Sequence, residues 1–309
     1  MKNADYHEPV LAHEVKRVLA PLKNARIIDA TVGTGGHALE LVKAGAIVLG
    51  IEADEEMLKL ADDRLKKACP TPNQKGLGSF KLIHGNFKDI DSIAIGEGFD
   101  KVSAILFDLG VSNLQLTSLT RGFSFTNPDV KLDMRVDPES QGLTGADLLN
   151  ALREDQLVGL FAKVLRFTDA KFLAKSVVIA REKSQIETVG DFLDVIRGVR
   201  SKRGLNPATL PFLALRMGVN SELENLLEVL PKAFSLIKPG GKLILITFHS
   251  LEEDIVLDFF HEKERLMEGI ILTKKPIIPD SLEINNNPRS RSAEMWVLEK
   301  NEISQKPKN

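Results

Sequence analysis

The turn at residues 29–37 places the strongest constraint on how this 309-residue chain folds. It joins an apolar run, Arg26-Ile27-Ile28, to a helical pattern that begins at Ala38, so a glycine-rich turn separates a buried strand from a helix. Gly33 and Gly35 permit a positive φ and a close approach of the backbone to a bound molecule, toward which the free N–H groups of the first helical turn point. The turn therefore predicts a ligand site.

The turn alone leaves three interpretations of that site. Residues 33–38 fit the G-x-G-x-x-G/A pattern, and Glu52 follows where an acid binds ribose hydroxyls, so a dehydrogenase that binds a dinucleotide is one interpretation. Asp29 favours the second, a cationic ligand such as S-adenosylmethionine, because a carboxylate repels a pyrophosphate. In the third, the turn only connects a strand to a helix.

Runs of strand length alternate with helical patterns along the chain, and five of these runs are 26–28, 46–51, 80–84, 102–107 and 242–248. This alternation predicts an α/β fold with a parallel, doubly wound sheet, whose ligands bind at the carboxyl ends of the strands. Glu52, Phe87 and Asp108 follow three of the runs. We therefore expect them to meet the glycine turn at one edge of the sheet.

The pattern changes near Ser112, after which several helical stretches follow with no strand between them. We interpret 113–205 as an inserted all-helical domain, and 1–112 with 206–309 as one discontinuous α/β domain. The helical region after residue 206 is expected to bend near Pro211 and Pro231. Residues 270–278 and 293–299 are predicted to be a closing, antiparallel pair of strands.

Composition narrows the functional classes. One cysteine, Cys69, excludes an internal disulfide and a cysteine-rich metal site. The N-terminus has no apolar signal core, and no apolar run approaches the ~20 residues of a membrane span, so we expect a cytoplasmic protein without a membrane partner. With a net charge of −2, any nucleic-acid surface must be a local basic patch. No recognisable cluster of metal ligands occurs in the sequence.

Seven short sequence motifs carry a resemblance to a known protein family. They are His7-Glu8-Pro9-Val10-Leu11, residues 29–37, Asp108-Leu109-Gly110-Val111-Ser112, Arg121-Gly122-Phe123-Ser124-Phe125, Leu132-Asp133-Met134-Arg135, Phe248-His249-Ser250-Leu251-Glu252 and Asn287-Pro288-Arg289-Ser290-Arg291-Ser292. With these words in this order, the chain resembles the MraW/RsmH family over nearly its whole length. That family uses S-adenosylmethionine to methylate the N4 amine of a cytidine in small-subunit (16S) ribosomal RNA. The resemblance implies a class I, Rossmann-like methyltransferase sheet interrupted by a helical domain that recognises RNA.

The resemblance also assigns the cofactor site. It implies that Gly35, Gly36 and His37 line the methionine end of S-adenosylmethionine, and that Glu52, where the family usually has aspartate, holds the ribose. The remaining cofactor positions match Phe87, Asp108 and Gln115. Structural alternatives stay open, with Phe87 as a core aromatic residue, His37 as a helix-start residue and Asp108 as a cap.

The amine of cytosine is a poor nucleophile, because its lone pair is delocalised into the ring. An enzyme must position it and accept hydrogen bonds from its protons as the nitrogen becomes tetrahedral. Asp108 is the candidate acceptor, and His249 can assist or be structural.

Candidate phosphate contacts are Arg121, Arg135, Arg289, Arg291 and the basic cluster 197–203, with solvated surface charge as the alternative for each arginine. Phe123 or Phe125 can stack on a base or pack in the core. The implied partner is ribosomal RNA or the small ribosomal subunit. The sequence leaves open whether the protein is a monomer or a homodimer.

Three departures from the family pattern leave a second function open. The Gly-Glu-Glu word of the family falls at Leu165-Arg166-Phe167, and His-Pro-Ala-Thr-Arg-Thr-Phe-Gln reads Asn206-Pro207-Ala208-Thr209-Leu210-Pro211-Phe212-Leu213. In the third, an arginine that follows the Ser-Leu-Glu word is replaced by Asp254. The alternative is a catalytically weak or inactive paralogue that acts as an RNA-binding ribosome assembly factor.

Overall fold

The computed structural model describes residues 8–69, 77–118, 120–200 and 204–302. Its contacts divide the chain into two compact units. The sheet unit comprises Met1–Gly110 and Leu223–Asn309, and the helical unit comprises Val111–Glu222. His7 of the first family word and residues 201–203 of the basic cluster lie outside the described residues.

Seven strands build the sheet unit: β1 (Arg26–Asp29), β2 (Ile47–Glu52), β3 (Ser79–His84), β4 (Val102–Asp108), β5 (Ile237–Thr247), β6 (Gly269–Ile271) and β7 (Glu294–Lys300). The α-helices are α1 (Ala12–Leu19), α2 (Gly36–Lys43), α3 (Glu55–Ala68), α4 (Ile90–Gly96), α5 (Asn113–Thr117), α6 (Gly145–Ala151), α7 (Glu154–Ala162), α8 (Phe167–Arg181), α9 (Val189–Ile196), α10 (Thr209–Asn220), α11 (Glu222–Leu236), α12 (Ser250–Arg265) and α13 (Ser281–Asn286).

The strands form one sheet in the order β3-β2-β1-β4-β5-β7-β6. Strands β1 to β5 run parallel to one another, whereas β7 pairs antiparallel with both β5 and β6. This order, with a reversed β7, is typical of class I methyltransferases and confirms the predicted fold class. The closing antiparallel pair is also confirmed, although β6 stops at Ile271 and Ile277 forms an isolated bridge with Met295 of β7.

Alternate residues of the strands are buried on opposite faces of the sheet. Ile28 and Leu49 pack into a core that includes Phe234 of α11, whereas Ile27 and Val48 pack into a second core on the other side. Burial on both faces explains why these strands are continuous apolar runs in the sequence. It also leaves the carboxyl edge of the sheet as the place where polar side chains can gather.

The helical unit has an apolar core of its own. Phe161 and Phe192 stack with ring centroids 6.3 Å apart, and Phe212 lies 5.2 Å from Phe192. Thr144 and Thr188 begin α6 and α9 with capping boxes. Because these phenylalanine side chains pack against one another in a core of their own, the helical residues form a separate structural unit.

The second boundary of the helical unit differs from the prediction. Helix α10 contributes Phe212 and Leu215 to the core of this unit, and the Asn220 amide donates to the Met134 carbonyl at 2.9 Å. The unit therefore extends to Glu222 instead of ending at 205. The break between α10 and α11 lies at Ser221, whose φ is 49°, and not at Pro211 or Pro231.

Among the described residues, no helix is both long enough and apolar enough to cross a membrane.

Candidate active site

The glycine turn has the geometry that its sequence predicts. Gly33 and Gly35 adopt φ values of 54° and 79°, and Gly35 is the N-cap of α2, where no side chain caps the helix. A Cβ on Gly35 would lie 3.2 Å from that of Ala61, and one on Gly36 would lie 3.1 Å from the Pro9 ring. Side chains are therefore disfavoured at both positions, and the backbone N–H groups at the start of α2 have no side-chain cap.

A cluster of buried polar side chains lies beside this turn, and we call it the Asp29–His37–Asp108 cluster. His37 Nε2 is 3.5 Å from Asp108 Oδ2, and Asp29 is only 1% exposed. Within the described part of the chain, neither oxygen of Asp29 completes a hydrogen bond, and the same holds for Asp108 Oδ1 and His37 Nε2. Buried polar atoms without partners are rare in folded proteins, so this cluster has the character of a ligand site.

Burial raises the pKa of Asp29 to about 6, an effect that His37 partly offsets and Asp108 strengthens. The Thr31 and Ala38 amides lower the pKa of Asp29 without completing hydrogen bonds. Burial alone lowers the pKa of His37, but the carboxylates of Asp108 and Asp29 outweigh it and raise this pKa above its usual value. The buried carboxylate of Asp29 and the partly buried one of Asp108, on either side of one imidazole, leave a negative potential that suits a cationic ligand.

Glu52 ends β2 beside the turn. Its Oε2 accepts from the Gly33 amide at 2.7 Å, and its Oε1 accepts from the Asp54 amide at 2.9 Å. Burial raises the pKa of Glu52 to about 7, although these two amides lower it. Each carboxylate oxygen has a second lone pair, so Glu52 can also accept hydrogen bonds from two ribose hydroxyls.

Phe87 and the backbone of Asp108 complete this edge of the sheet. Phe87 begins a 3₁₀ helix, Phe87–Asp89, after β3, and its half-buried ring meets Phe107 edge-on at 5.7 Å. The Asp108 amide donates to Thr31 Oγ1 at 2.6 Å. The carboxyl ends of β1 to β4 thus bring Asp29, Glu52, Phe87 and Asp108 to one edge, as the sequence predicts.

Comparison with known proteins identifies the family to which the chain belongs. The MraW methylase family matches residues 4–301 of the chain. The chain belongs to the MraW methylase family.

Three relatives of this MraW family member are each named ribosomal RNA small subunit methyltransferase H. The protein of Persephonella marina is 39% identical over 95% of this chain and 99% of its own length. That of Coprothermobacter proteolyticus is 37% identical over 97% and 98%, and that of Sulfurihydrogenibium azorense is 40% identical over 94% and 98%.

The residues of this MraW family member fit S-adenosylmethionine, the cofactor of the family. The Asp29 carboxylate, which has no hydrogen-bond partner among the described residues, suits the positive charge of the cofactor, and Gly35 and Gly36 let the turn pack closely against Ala61 and Pro9. Glu52 has acceptor capacity for a ribose. A pyrophosphate would place two negative charges near Asp29, so the dinucleotide interpretation fits less well.

His249 occupies a structural position. It is the N-cap of α12, where its Nδ1 accepts from the Glu252 amide at 3.4 Å. Its Nε2 lies 3.3 Å from Oε1 of Glu252, whose other oxygen accepts from the Phe248 amide at 2.8 Å. These contacts favour the structural alternative for His249 over the predicted catalytic one.

Two predicted RNA contacts are engaged within the helical unit. The Arg121 guanidinium donates to the carbonyls of Arg135 and Val136 at 2.8 and 2.6 Å. Arg135 forms a two-pronged ion pair with Asp133 at 2.7 and 2.8 Å and also donates to the Gln141 carbonyl. Both side chains stabilise local structure, which favours that role over the predicted contact with phosphate.

Arg289 and Arg291 are exposed on a 3₁₀ helix, Pro288–Ser292. Because Glu294 at the start of β7 pairs with Thr247 at the end of β5, this helix lies at the carboxyl edge of the sheet. Their contact with RNA stays a prediction, and their location at the carboxyl edge of the sheet is favourable for it.

The remaining predicted residues lie in the helical unit. Gln115 is buried and forms a capping box with Ser112, so its role in binding the cofactor stays a prediction of the resemblance. Phe123 is buried in the core, and Phe125 meets Phe212 edge-on at 5.5 Å. Packing, and not base stacking, therefore explains both rings.

The sequence did not indicate two residues at the site. Glu283 Oε1 accepts from the Leu11 amide at 2.8 Å, and its charge contributes to the raised pKa of His37. Thr31 anchors the Asp108 amide. Glu283 lies 272 residues from its partner, so no local pattern could reveal it. Thr31 lies inside the glycine turn, where an isolated hydroxyl carries little signal.

Proposed function

We propose that this protein transfers a methyl group from S-adenosylmethionine to the N4 amine of a cytidine in small-subunit ribosomal RNA. Membership of the MraW methylase family and the names of the relatives support the reaction and the substrate class. The observation that carries the proposal is the Asp29–His37–Asp108 cluster beside a helix start that no side chain caps.

The cofactor would be held by residues of the sheet unit. Gly35, Gly36 and His37 would contact its methionine end, Glu52 its ribose, and Phe87 its remaining apolar surface. When bound, S-adenosylmethionine supplies a methyl group on a positively charged sulfur. Asp29 would stabilise that charge from beneath the turn, since it is buried and not offset by a hydrogen bond.

Asp108 would accept hydrogen bonds from the amine of the cytidine. Its Oδ1 is buried without a partner, while Oδ2 lies beside His37 and the backbone is fixed by Thr31. A carboxylate held in this way stabilises the positive charge that grows on the nitrogen and can take its proton. His37 would keep Asp108 oriented.

The second candidate function is an inactive paralogue that binds RNA during ribosome assembly. It is favoured by the family residues that are missing at Arg166, Phe167 and Asp254. Turnover separates the two functions, whereas cofactor binding does not, because an inactive protein can keep its pocket.

The proposed partner is ribosomal RNA, either free or within the small subunit, and the proposed location is the cytoplasm. Mass spectrometry of ribosomal RNA from a strain that lacks this chain tests the proposal. We expect one N4-methylcytidine to disappear and to return when the wild-type gene is restored. An unchanged level would contradict the proposed function.

A further inference from the structure

Helix α8 of the helical unit carries an exposed apolar face. Phe167, Phe172 and Ile179 are 67%, 48% and 44% exposed, although each is a residue type that folding normally buries. The opposite face of the helix is buried through Leu173 and Val177. Helix α8 therefore has a complete core-facing side, and its exposed rings are additional to what packing needs.

The same face is basic. Lys171 and Lys175 are exposed between the aromatic and aliphatic side chains, and they stand four residues apart, so they are neighbours on the helix. No ion pair to either lysine occurs among the described residues, and like charges at this spacing destabilise a helix slightly. An anionic partner would relieve that repulsion.

The face continues into the basic segment that follows α9. Gly198 packs against Phe172, because a Cβ on this glycine would lie 2.6 Å from the Phe172 ring. Arg200 is exposed beside it, whereas Arg197 is paired with Asp194 at 2.7 Å. Residues 197–200 therefore extend the surface of α8.

At its other end, the face borders an open concavity of about 510 Å³. Phe167 and Lys171 line it together with Val158 and two acids, Glu154 and Asp155. Asp155 is paired with Arg153 at 2.9 Å. A flat apolar ring, a lysine and a carboxylate acceptor match the flat face, the phosphate and the exocyclic amine of a nucleotide.

We propose that this face of α8, comprising Phe167, Lys171, Phe172 and Lys175 with Arg200, binds single-stranded RNA. A base stacks on Phe167, and the backbone runs along the two lysines, which span about 6 Å of helix. The inference rests on the proposed function for its choice of RNA. It goes beyond that function because Arg166 and Phe167 replace two acids of the family pattern, so this chain has its own contact surface.

RNA binding by the full-length protein tests the proposal without methyl transfer. The probe is a labelled single-stranded RNA of mixed sequence and about 20 nucleotides, long enough for a typical single-strand site. We expect Phe167→Leu, which keeps apolar area but loses the aromatic face, to weaken binding about fivefold or more, and Phe167→Trp to preserve it. Thermal melting should be unchanged, since the ring is exposed.

The charge component has a matched control. Lys171→Glu with Lys175→Glu should weaken binding and reduce the slope of log K against log salt by about 1.4, at about 0.7 per phosphate contact. Lys101→Glu with Lys238→Glu reverses the same number of exposed lysines at the amino edge of the sheet. We expect this control pair to bind RNA like the wild-type protein.

Three results would overturn the proposal. They are absence of RNA binding by the wild-type protein, equal effects of the two lysine pairs, and loss of binding to small subunits in Phe167→Leu without loss of binding to the RNA probe. The last would indicate a protein partner. Methyl transfer measured in parallel separates the two proposals. RNA binding through α8 without turnover would reject only the proposed function, and turnover with unaffected α8 variants would reject only this surface.

Discussion

Asp29 is the residue that best explains why the site is built as it is. A carboxyl group buried without a completed hydrogen bond costs folding free energy, and a protein keeps such a group when a ligand compensates it. The neighbouring His37 compensates only part of this charge, because Asp108 shares the imidazole. The site is therefore prepared for a cation at the expense of the stability of the ligand-free protein.

Replacement of Asp29 by asparagine should stabilise the ligand-free protein at high pH. A carboxyl pKa raised from 3.8 to about 6 means that the folded state binds the proton more tightly than the unfolded chain. The cost of the buried charge therefore grows as the pH rises through this range, to about 3 kcal/mol above pH 6. Thermal melting should show Asp29→Asn well above wild type at pH 8, with the difference about half as large at pH 5 and nearly absent below pH 4.

The same variant should bind S-adenosylmethionine more weakly at pH 8, which calorimetry can measure. Asp63→Asn is the matched control, since the Asp63 side chain is exposed on α3, whereas Asp29 is buried. Lower stability of Asp29→Asn at pH 8, or unchanged affinity for the cofactor, would contradict the role assigned to Asp29.

Asp108→Asn should lower the turnover number for methyl transfer about 100-fold, because a neutral amide replaces the charged acceptor at the reacting amine. The affinity for S-adenosylmethionine should change much less, since Asp29 and Glu52 remain. Steady-state kinetics with small subunits would measure the first quantity and calorimetry the second. A normal turnover number in this variant would remove Asp108 from the proposed mechanism.

At the scale of residues, the sequence predicted the site side chains that directly follow strands. It did not predict those that distant segments of the chain contribute. Asp29, Glu52, Phe87 and Asp108 follow directly from parallel strands, whose carboxyl ends share an edge. Glu283 comes from a distant segment. Contacts of that kind depend on how the chain returns to the sheet, and no spacing rule contains that information.

At the scale of elements, substitutions of His249 distinguish a role in capping helix α12 from a role in catalysis. Asparagine is also a good N-cap, so His249→Asn should keep the melting temperature and a turnover number within about threefold of wild type. His249→Ala should lose the cap and about 1 kcal/mol of stability. A folded His249→Asn variant with a much lower turnover number would restore the catalytic interpretation.

Gly122 belongs to the family motif at residues 121–125, and its backbone conformation explains why a glycine stands there. Its φ is 68°, and a Cβ there would lie 2.5 Å from the Lys131 carbonyl oxygen. Gly122→Ala should therefore destabilise the protein by about 2 kcal/mol or more, as measured by denaturant unfolding.

Gly142→Ala is the control for this prediction, because Gly142 lies in the same unit and a Cβ there meets nothing within 4 Å. We expect it to change stability by less than about 0.5 kcal/mol. Equal effects of the two substitutions would show that the turn at Gly122 tolerates a side chain.

Strands and caps were predictable at this scale, whereas the second unit boundary was not. The strands are continuous apolar runs, and Thr144 and Thr188 precede acids at capping-box spacing. Helix α10 is apolar on much of its surface, so its sequence does not say which core it joins. Prolines at 211 and 231 suggested bends, but the chain breaks at Ser221, a residue type with no such signal.

At the scale of the whole molecule, the chain has two separately packed units, and the sequence motifs of the family are distributed between them. The sheet unit holds the cluster that suits a cationic cofactor, and the helical unit presents a basic, aromatic face. The sequence predicted this division because the periodicity of the chain changes near Ser112. It could not predict the α8 surface, since exposure of Phe167 depends on which side of the helix meets the core.

Cofactor binding should stabilise the whole protein in a selective way. A ligand at 100 times its dissociation constant adds about 2.7 kcal/mol, so S-adenosylmethionine should raise the melting temperature by several degrees. NAD at the same concentration should have no effect, because its pyrophosphate meets the charge of Asp29. Stabilisation by NAD alone would favour the dehydrogenase interpretation of the turn.

The most direct test of the central claim is methyl transfer in vitro to small ribosomal subunits from a strain that lacks this chain. Labelled S-adenosylmethionine and mass spectrometry would identify the product, with Asp108→Asn as the comparison. The account predicts one N4-methylcytidine per subunit with the wild-type protein and very little with the variant. Wild-type protein that binds the cofactor and the subunits but forms no methylcytidine would contradict it.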